Sequence, residues 1–340
     1  MKRKSILCCI AVVLILTLTA LAGCGGKEPA KETGKPAAEE AKTLAPVKVT
    51  LTGGAVGGLW AASGEGIGEA IRRIAPNSSF GYQPGQDGAN ALTVSSGKAE
   101  LGFLYAPMAK FAVEGTGPYK QKVDLKAIAS FGALTYGILA TEKSGLKNIS
   151  DMKGKPVIIG VMTKDSSMDL INRTVLEEHG VSYESVEKSG GKVLYLPVGP
   201  TLDMMKDGRA DAALTMYAIP EAKVVEAALT SKLTFLKPDP EALKKAAGRL
   251  GLPLTKIPKD TYTFHKEDIT SFDVPAVLVC RSDLPDQVAY TVTKAMVEQL
   301  PYLQQVSMAF KKDTPQTMAV APMKLHPGAE KYYREKGIIK

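Results

Sequence analysis

The sequence predicts an α/β protein of two similar lobes, with mostly parallel sheets and a cleft between them. Two observations carry this. Short apolar strands alternate with helical patterns, the order of a parallel sheet. A strand–loop–helix pattern in the first third also returns about 110 residues later. Pro46-Val47 answers to Pro156-Val157, and Gly97-Lys98-Ala99-Glu100 to Gly208-Arg209-Ala210-Asp211. Glycines nine residues apart precede each acid: Gly88 and Gly97, then Gly199 and Gly208. Self-similarity of this kind reads as a duplicated unit.

The chain has 340 residues, 45% of them hydrophobic, enough for two ordinary domains and a sizeable core. The amino end stands outside that core. Lys2, Arg3 and Lys4 precede an apolar run from Ile6 to Leu21, closed by Leu21-Ala22-Gly23-Cys24. A basic start, an apolar centre and small residues at the end make residues 1–23 a signal peptide. The segment resembles a bacterial lipobox, which implies lipid attachment at Cys24 and a mature chain of 317 residues. Lys2, Arg3 and Lys4 leave with the signal, so the formal charge falls from +8 to +5. That is mild for the length and excludes a nucleic-acid-binding stripe. Cys8 and Cys9 also leave, so no intrachain disulfide can form without Cys24. Cys280, in the apolar run Val277-Leu278-Val279-Cys280, reads as a buried core thiol.

Residues 24–45 are rich in Gly, Ala, Lys, Glu and Pro and read as a flexible tether. The first strand follows, Val47 to Leu51, then the cluster Gly53-Gly54-Ala55-Val56-Gly57-Gly58. Leu59, Ile67, Ile71 and Ile74 then share one helical face, which Pro76 and Asn77 end. A strand from Ser79 to Tyr82, a loop from Gln83 to Gly88 and a short helix lead to Gly97 as helix stop. The strand Ala99 to Tyr105 completes the unit. In the second unit, the loop Thr163 to Ser167 opens a helix from Met168 to His179.

Leu125 to Phe131, continued by Tyr136 to Ala140, and Val274 to Arg281 read as two hinge crossings between the lobes. The division expected is residues 46–134 for the first lobe, 135–273 for the second, and 274–340 for a return to the first. A single helix is expected from about Pro285 to Gln304. Residues 236–262, with Pro238, Pro240, Pro253 and Pro258, read as a surface excursion.

Chemistry is sparse. His179, His265 and His326 stand at no metal-ligand spacing, and neither CxxC nor G-x-S-x-G occurs. Neither a catalytic set, a metal nor a cofactor is expected. The positive signal is the glycine cluster. A glycine-rich turn before a helix offers backbone N–H groups and about half a positive charge, enough to hold an anion. It is not a dinucleotide fingerprint, because the next strand ends at Gln83-Pro84 without the acid that a ribose needs. Ligand pockets favour lobe interfaces and the carboxyl ends of parallel strands.

The site expected on this ground comprises Gly53, Gly54, Ala55, Gly57, Trp60, Gln86, Asn90 and Tyr105 from the first lobe. Lys164, Ser166, Ser167 and Tyr217 come from the second. Asn90 and Ser167 either bond the solute or cap their helices, and Trp60 either walls the site or belongs to the core. Lys164 either pairs with an acidic group or remains an unpaired loop residue.

The same segments resemble the TAXI family of solute receptors, which serve TRAP transporters. The likeness runs over nearly all of residues 46–338. It includes Thr52-Gly53-Gly54, Gly57, Asn90, Gly97-Lys98-Ala99-Glu100-Leu101, Asp207-Gly208-Arg209-Ala210-Asp211 and Arg281-Ser282-Asp283-Leu284-Pro285. The most specific piece is the string from Leu325-His326-Pro327-Gly328 to Glu335. The resemblance implies a type II-like periplasmic-binding-protein fold that closes on a small carboxylate or amino acid. It also implies delivery to the membrane subunits of an ion-driven permease. An extracytoplasmic, lipid-anchored monomer is expected, at the cell surface or in the periplasm, with no nucleic acid as partner. Two positions depart from the family pattern. Leu59-Trp60 stands where many members have two tyrosines, and Lys164-Asp165-Ser166-Ser167 where many have G-S-G-T. Both lie where the solute is expected, so its identity stays open. The rival functions are a sensory binding lipoprotein and an exported enzyme.

Overall fold

The computed structural model describes residues 44–340. The signal peptide, Cys24 and nearly all of the tether lie outside them.

The first unit is β1 (Lys48–Thr52), α1 (Leu59–Ile74), β2 (Ser79–Gln83), α2 (Asp87–Ser95), β3 (Leu101–Tyr105) and α3 (Ala106–Glu114). A long strand, β4 (Lys126–Thr141), leaves it. The second unit is β5 (Ile158–Gly160), α4 (Ser167–Glu178), α5 (Tyr183–Lys188), β6 (Lys192–Leu194), α6 (Val198–Lys206) and β7 (Ala212–Tyr217). Then come α7 (Ala222–Ala228), β8 (Leu233–Phe235), α8 (Pro240–Leu250) and β9 (Leu254–Ile257). The strand β10 (Ile269–Cys280) returns, followed by α9 (Asp286–Glu298), α10 (Leu300–Val306), α11 (Pro315–Met318) and α12 (Pro327–Glu335).

The main sheet order is β2-β1-β3-β10-β4-β7-β5-β6, with β8 beside β4 and β9 beside β10. Each unit contributes three parallel strands: β2-β1-β3 at one end and β6-β5-β7 at the other. The antiparallel pairs all involve β4 or β10. These two strands join the parallel triads, so the molecule is two α/β lobes on a shared waist.

The waist has its own chemistry. Ala276 faces Phe131 and Val274 faces Leu134, so two residues of β4 stand opposite one residue of β10. That one residue is Pro275, which has no N–H to give the ladder. The extra residue on β4 makes a bulge at Gly132, whose φ is +62°, a backbone region that glycine enters without a Cβ clash. The Gly132 N–H that the ladder does not use donates to both carboxylate oxygens of Asp313, at 3.2 and 3.0 Å.

The internal repeat also has a physical cause. In the first lobe, Thr50 N donates to the Glu100 carboxylate at 2.7 Å, and Glu100 N donates back to Thr50 O at 3.1 Å. In the second, Ile158 N donates to the Asp211 carboxylate and Asp211 N to Ile158 O, both at 2.8 Å. Each acid closes a two-bond clamp where the third strand enters beside the first.

The core follows the layers. One cluster lies between the first triad and helices α1, α9 and α12, with Leu51, Ile67, Phe103, Phe131 and Tyr333 buried. A second runs under α2, α3, α4 and α8 without a break between lobes, from Leu104 and Met108 to Val161 and Leu214. Gly64 and Gly68 on α1 serve packing, since a Cβ there would strike Tyr82 or Phe80 of β2. The string from Leu325 onward clasps the first lobe. His326, fully buried, caps α12 by accepting Gly328 N at 3.2 Å, and Tyr333 Oη donates to Ile128 O at 3.2 Å. Cys280 is buried at the end of β10.

Three sequence expectations need correction. The helix expected over 285–304 is two helices, because Pro301 cannot donate within a continued helix and instead opens α10. The segment 236–262 contains α8, capped by Asp239 accepting Ala242 N at 2.9 Å, and then β9. The stretches 125–131 and 136–140 are one continuous strand.

Substituting Gly132 tests the waist. A Cβ there would stand 3.1 Å from Ala309 Cβ and force a side chain into positive φ. Gly132→Ala is expected to lower the unfolding free energy by about 1–2 kcal/mol. Urea titration should show an earlier midpoint with an unchanged slope.

Candidate functional site

The loops expected to meet come from the carboxyl ends of β1, β2, β5 and β7. A pocket of about 440 Å³ lies between the turn after β2 with α2 and α3 on one side and the loop after β5 on the other. Gln86, Asp87, Leu92, Met108, Pro118 and Tyr119 line one wall, and Thr163, Lys164, Asp165 and Ser166 the other.

Its inner end is an interlobe contact centred on Asp87, the first residue of α2. Tyr105 N donates to Asp87 Oδ1 at 2.9 Å from within the first lobe. Ser167 Oγ, at the start of α4 in the second lobe, donates to Oδ2 through a short hydrogen bond. Asp87 as a residue is half-buried, but its carboxyl group is enclosed. Burial pushes its pKa up to about 6, against the pull of the Ser167 and Tyr105 hydrogen bonds. Tyr119 Oη donates to Gly88 O at 2.9 Å and fixes the neighbouring turn. A second link crosses at the waist, where Lys312 Nζ donates to Ile219 O at 3.0 Å.

The expected residues divide into three groups. Gln86, Lys164 and Ser166 line the pocket, and Ser167 meets Asp87 at its end. Lys164 forms no ion pair among the described residues. Ser166, and not Ser167, caps α4, accepting Asp169 N at 3.3 Å.

A second group stands one layer behind. Ala55 and Gly57 are exposed, Gly54 is partly covered and Gly53 is buried. Gly53 N is spent on Gln83 O at 3.1 Å, and Gly54 O accepts Tyr82 Oη at 2.9 Å. Trp60 sits beside Gly54 and packs on Tyr105, ring centroids 4.8 Å apart, and on Phe103 at 5.6 Å. It belongs to the first-lobe core and does not line the pocket.

Two residues are corrected. Asn90 is neither cap nor free donor. It is buried and fully engaged, with Nδ2 donating to Gly53 O at 3.0 Å and Phe103 O at 2.9 Å while Oδ1 accepts Thr52 Oγ1 at 2.9 Å. Tyr217 is 1% exposed and points into the second lobe, its hydroxyl donating to Ala213 O and its ring against Phe235. Period-2 alternation gives a strand two faces without saying which one meets the cleft.

Asp87, Leu92, Met108 and Tyr119 were missed. An acid in the first turn of a helix reads as a partner of the helix dipole. Nothing local announces a bond to a residue 80 positions away.

The family model for the NMT1-like family matches residues 51–337. The chain belongs to the NMT1-like family. Solved structures agree with its architecture. A TctC solute-binding protein from Polaromonas, 16% identical, aligns over 86% of this chain and 97% of its own, with a TM-score of 0.51. PhnD1 from Prochlorococcus marinus, in complex with methylphosphonate, is 12% identical over 86% of this chain and 99% of its own, with a TM-score of 0.51. This NMT1-like chain therefore has the two-lobed fold of periplasmic binding proteins, with its own pocket at the lobe junction. Among the described residues no cluster suited to a metal occurs, and no helix is long and apolar enough to cross a membrane.

The raised Asp87 pKa sets a pH dependence. Protonation is favoured in the folded protein, so the stability it adds is present below about pH 4 and lost as pH rises through 6. Between pH 7.5 and 4, wild type is expected to gain roughly 2 kcal/mol from this group that Asp87→Asn does not gain. Denaturant titrations of both proteins at the two pH values measure the difference.

Proposed function

We propose that this NMT1-like chain is the extracytoplasmic solute receptor of a TRAP-type secondary transporter, of the TAXI kind. It binds a small carboxylate or amino-acid-like solute between its lobes and delivers it to the membrane subunits of the permease. The observation that carries this reading is the pocket at the lobe junction, ended by one hydrogen-bonded contact and backed by a two-strand waist.

In this reading residues 46–134 with 274–340 form one lobe and 135–273 the other. The bulge at Gly132 opposite Pro275 is the pivot. Opening separates Ser167 from Asp87, and the solute is captured by Gln86, Lys164, Ser166 and the N–H groups at the start of α4. The glycine loop and Trp60 support that wall through Tyr105. A solute closes the protein only by binding the closed form more tightly than the open one. The likeness to a TctC solute-binding protein and to PhnD1 supports a carrier over an exported enzyme. The protein acts as a monomer held to the membrane by lipid on Cys24, without cofactor or metal.

Native mass spectrometry of freshly purified protein is expected to show a retained small solute, chemically unchanged. X-ray scattering should show a smaller radius of gyration when that solute is restored to stripped protein. A solute recovered as a converted product, or scattering blind to it, would sink the receptor reading. Cys24→Ser is expected to move the protein from the membrane fraction to the soluble one. Retention in the membrane would refute the anchor.

A further inference from the structure

Asp87 is fixed by its own lobe. Its Oδ1 accepts Tyr105 N, and both residues belong to the first parallel unit, so the carboxylate stays in place when the lobes part. Its Oδ2 is served from the other lobe by Ser167 alone among the hydrogen bonds of the described side chains. A solute seated between the lobes at this point takes Ser167's position. It must then supply a donor to Oδ2, because a charged acceptor enclosed without a donor is strongly disfavoured.

The charge around the pocket points the same way. Its charged lining is Asp87, Asp165 and Lys164, a net charge of −1. A dicarboxylate placed against Asp87 would set like charges side by side in an enclosed space. A zwitterion meets both walls: its ammonium faces Asp87 and its carboxylate faces Lys164 and the start of α4. Leu92, 55% exposed, and Met108 remain to pack against the rest of the solute.

We propose that the solute carries a cationic N–H donor beside its carboxylate, as an α-amino acid does, and that Asp87 is the acceptor that selects it. This rests on the receptor reading above and narrows it to one class of solute.

Calorimetry on the mature protein, stripped of retained solute, tests this with L-amino acids against the 2-oxo acids bearing the same side chains. Each pair differs at the group that Asp87 would read. Wild type is expected to bind the best amino acid at least tenfold more tightly than its oxo partner. Asp87→Asn, checked for folding by thermal unfolding, should bring that ratio close to one. An oxo acid that binds as well as its amino partner, or a preference unchanged in the variant, would overturn the proposal and leave the receptor reading standing. Native mass spectrometry of untreated wild type decides without a variant. A retained solute with an amine supports the proposal, and one without an amine overturns it. If neither series binds and no solute is retained, both readings fall.

Discussion

The molecule depends on two strands that must belong to both lobes at once. β4 pairs with β10 along its first half and with β7 along its second. No other element carries the main chain from one parallel triad to the other and back except β10. A continuous ladder there would weld the lobes into one stiff sheet. Pro275 removes a donor at the midpoint, and Gly132 supplies the positive φ that the compensating bulge requires. The ladder between β4 and β10 is therefore interrupted at this point. Asp313 takes up the amide the bulge sets free, so the weak point is still satisfied.

The waist is joined to the glycine loop by packed rings. Trp60 rests on Phe103, Phe103 on Phe131 at 4.9 Å, and Phe131 on Phe310 at 5.0 Å. Phe131 precedes Gly132 in the chain, and Trp60 follows the glycine loop. The column packs the bulge and the glycine loop against one another through a single run of rings. The column gives the glycine loop a role different from the one its composition suggests. With Gly53 N committed to β2 and Gly54 O to Tyr82, the loop seats Trp60 and helix α1.

The fold was readable because its signals are local. Strand and helix periods, the stop at Pro76-Asn77 and the doubled Gly-Lys/Arg-Ala-Asp/Glu string all report on neighbours in sequence, and each matches an element. The doubled string even contains its own explanation, a carboxylate clamping the first strand of each unit. The site was readable only in part. Lys164, Ser166 and Gln86 line the pocket because loops at the carboxyl ends of parallel strands converge. Asn90 was misjudged because its partners, Phe103 O and Gly53 O, are fixed by the tertiary fold. A matching stitch in the second lobe, Asn172 Nδ2 to Val161 O and Leu214 O, both at 3.2 Å, escaped notice for the same reason. Tyr217 was misjudged because a strand residue can face either way.

The Asp87 contact must satisfy opposed demands. In the proposed role, a receptor that never opens cannot load, and one that never closes cannot hold. A lock of several apolar side chains would answer only the second demand. An enclosed carboxylate answers both, because its stability depends on what is bound to it. Its pKa near 6 says that Tyr105 and Ser167 do not fully replace the water it gives up. At neutral pH the empty contact thus leaves the carboxylate less well served than water would, and separating Ser167 returns it to solvent. A charged donor arriving with a solute in the place of Ser167 holds the same carboxylate more strongly than a neutral hydroxyl does. Under the proposed receptor role, one acid at the lobe junction makes the closed form poor when empty and good when filled, and delivery to a permease requires that difference.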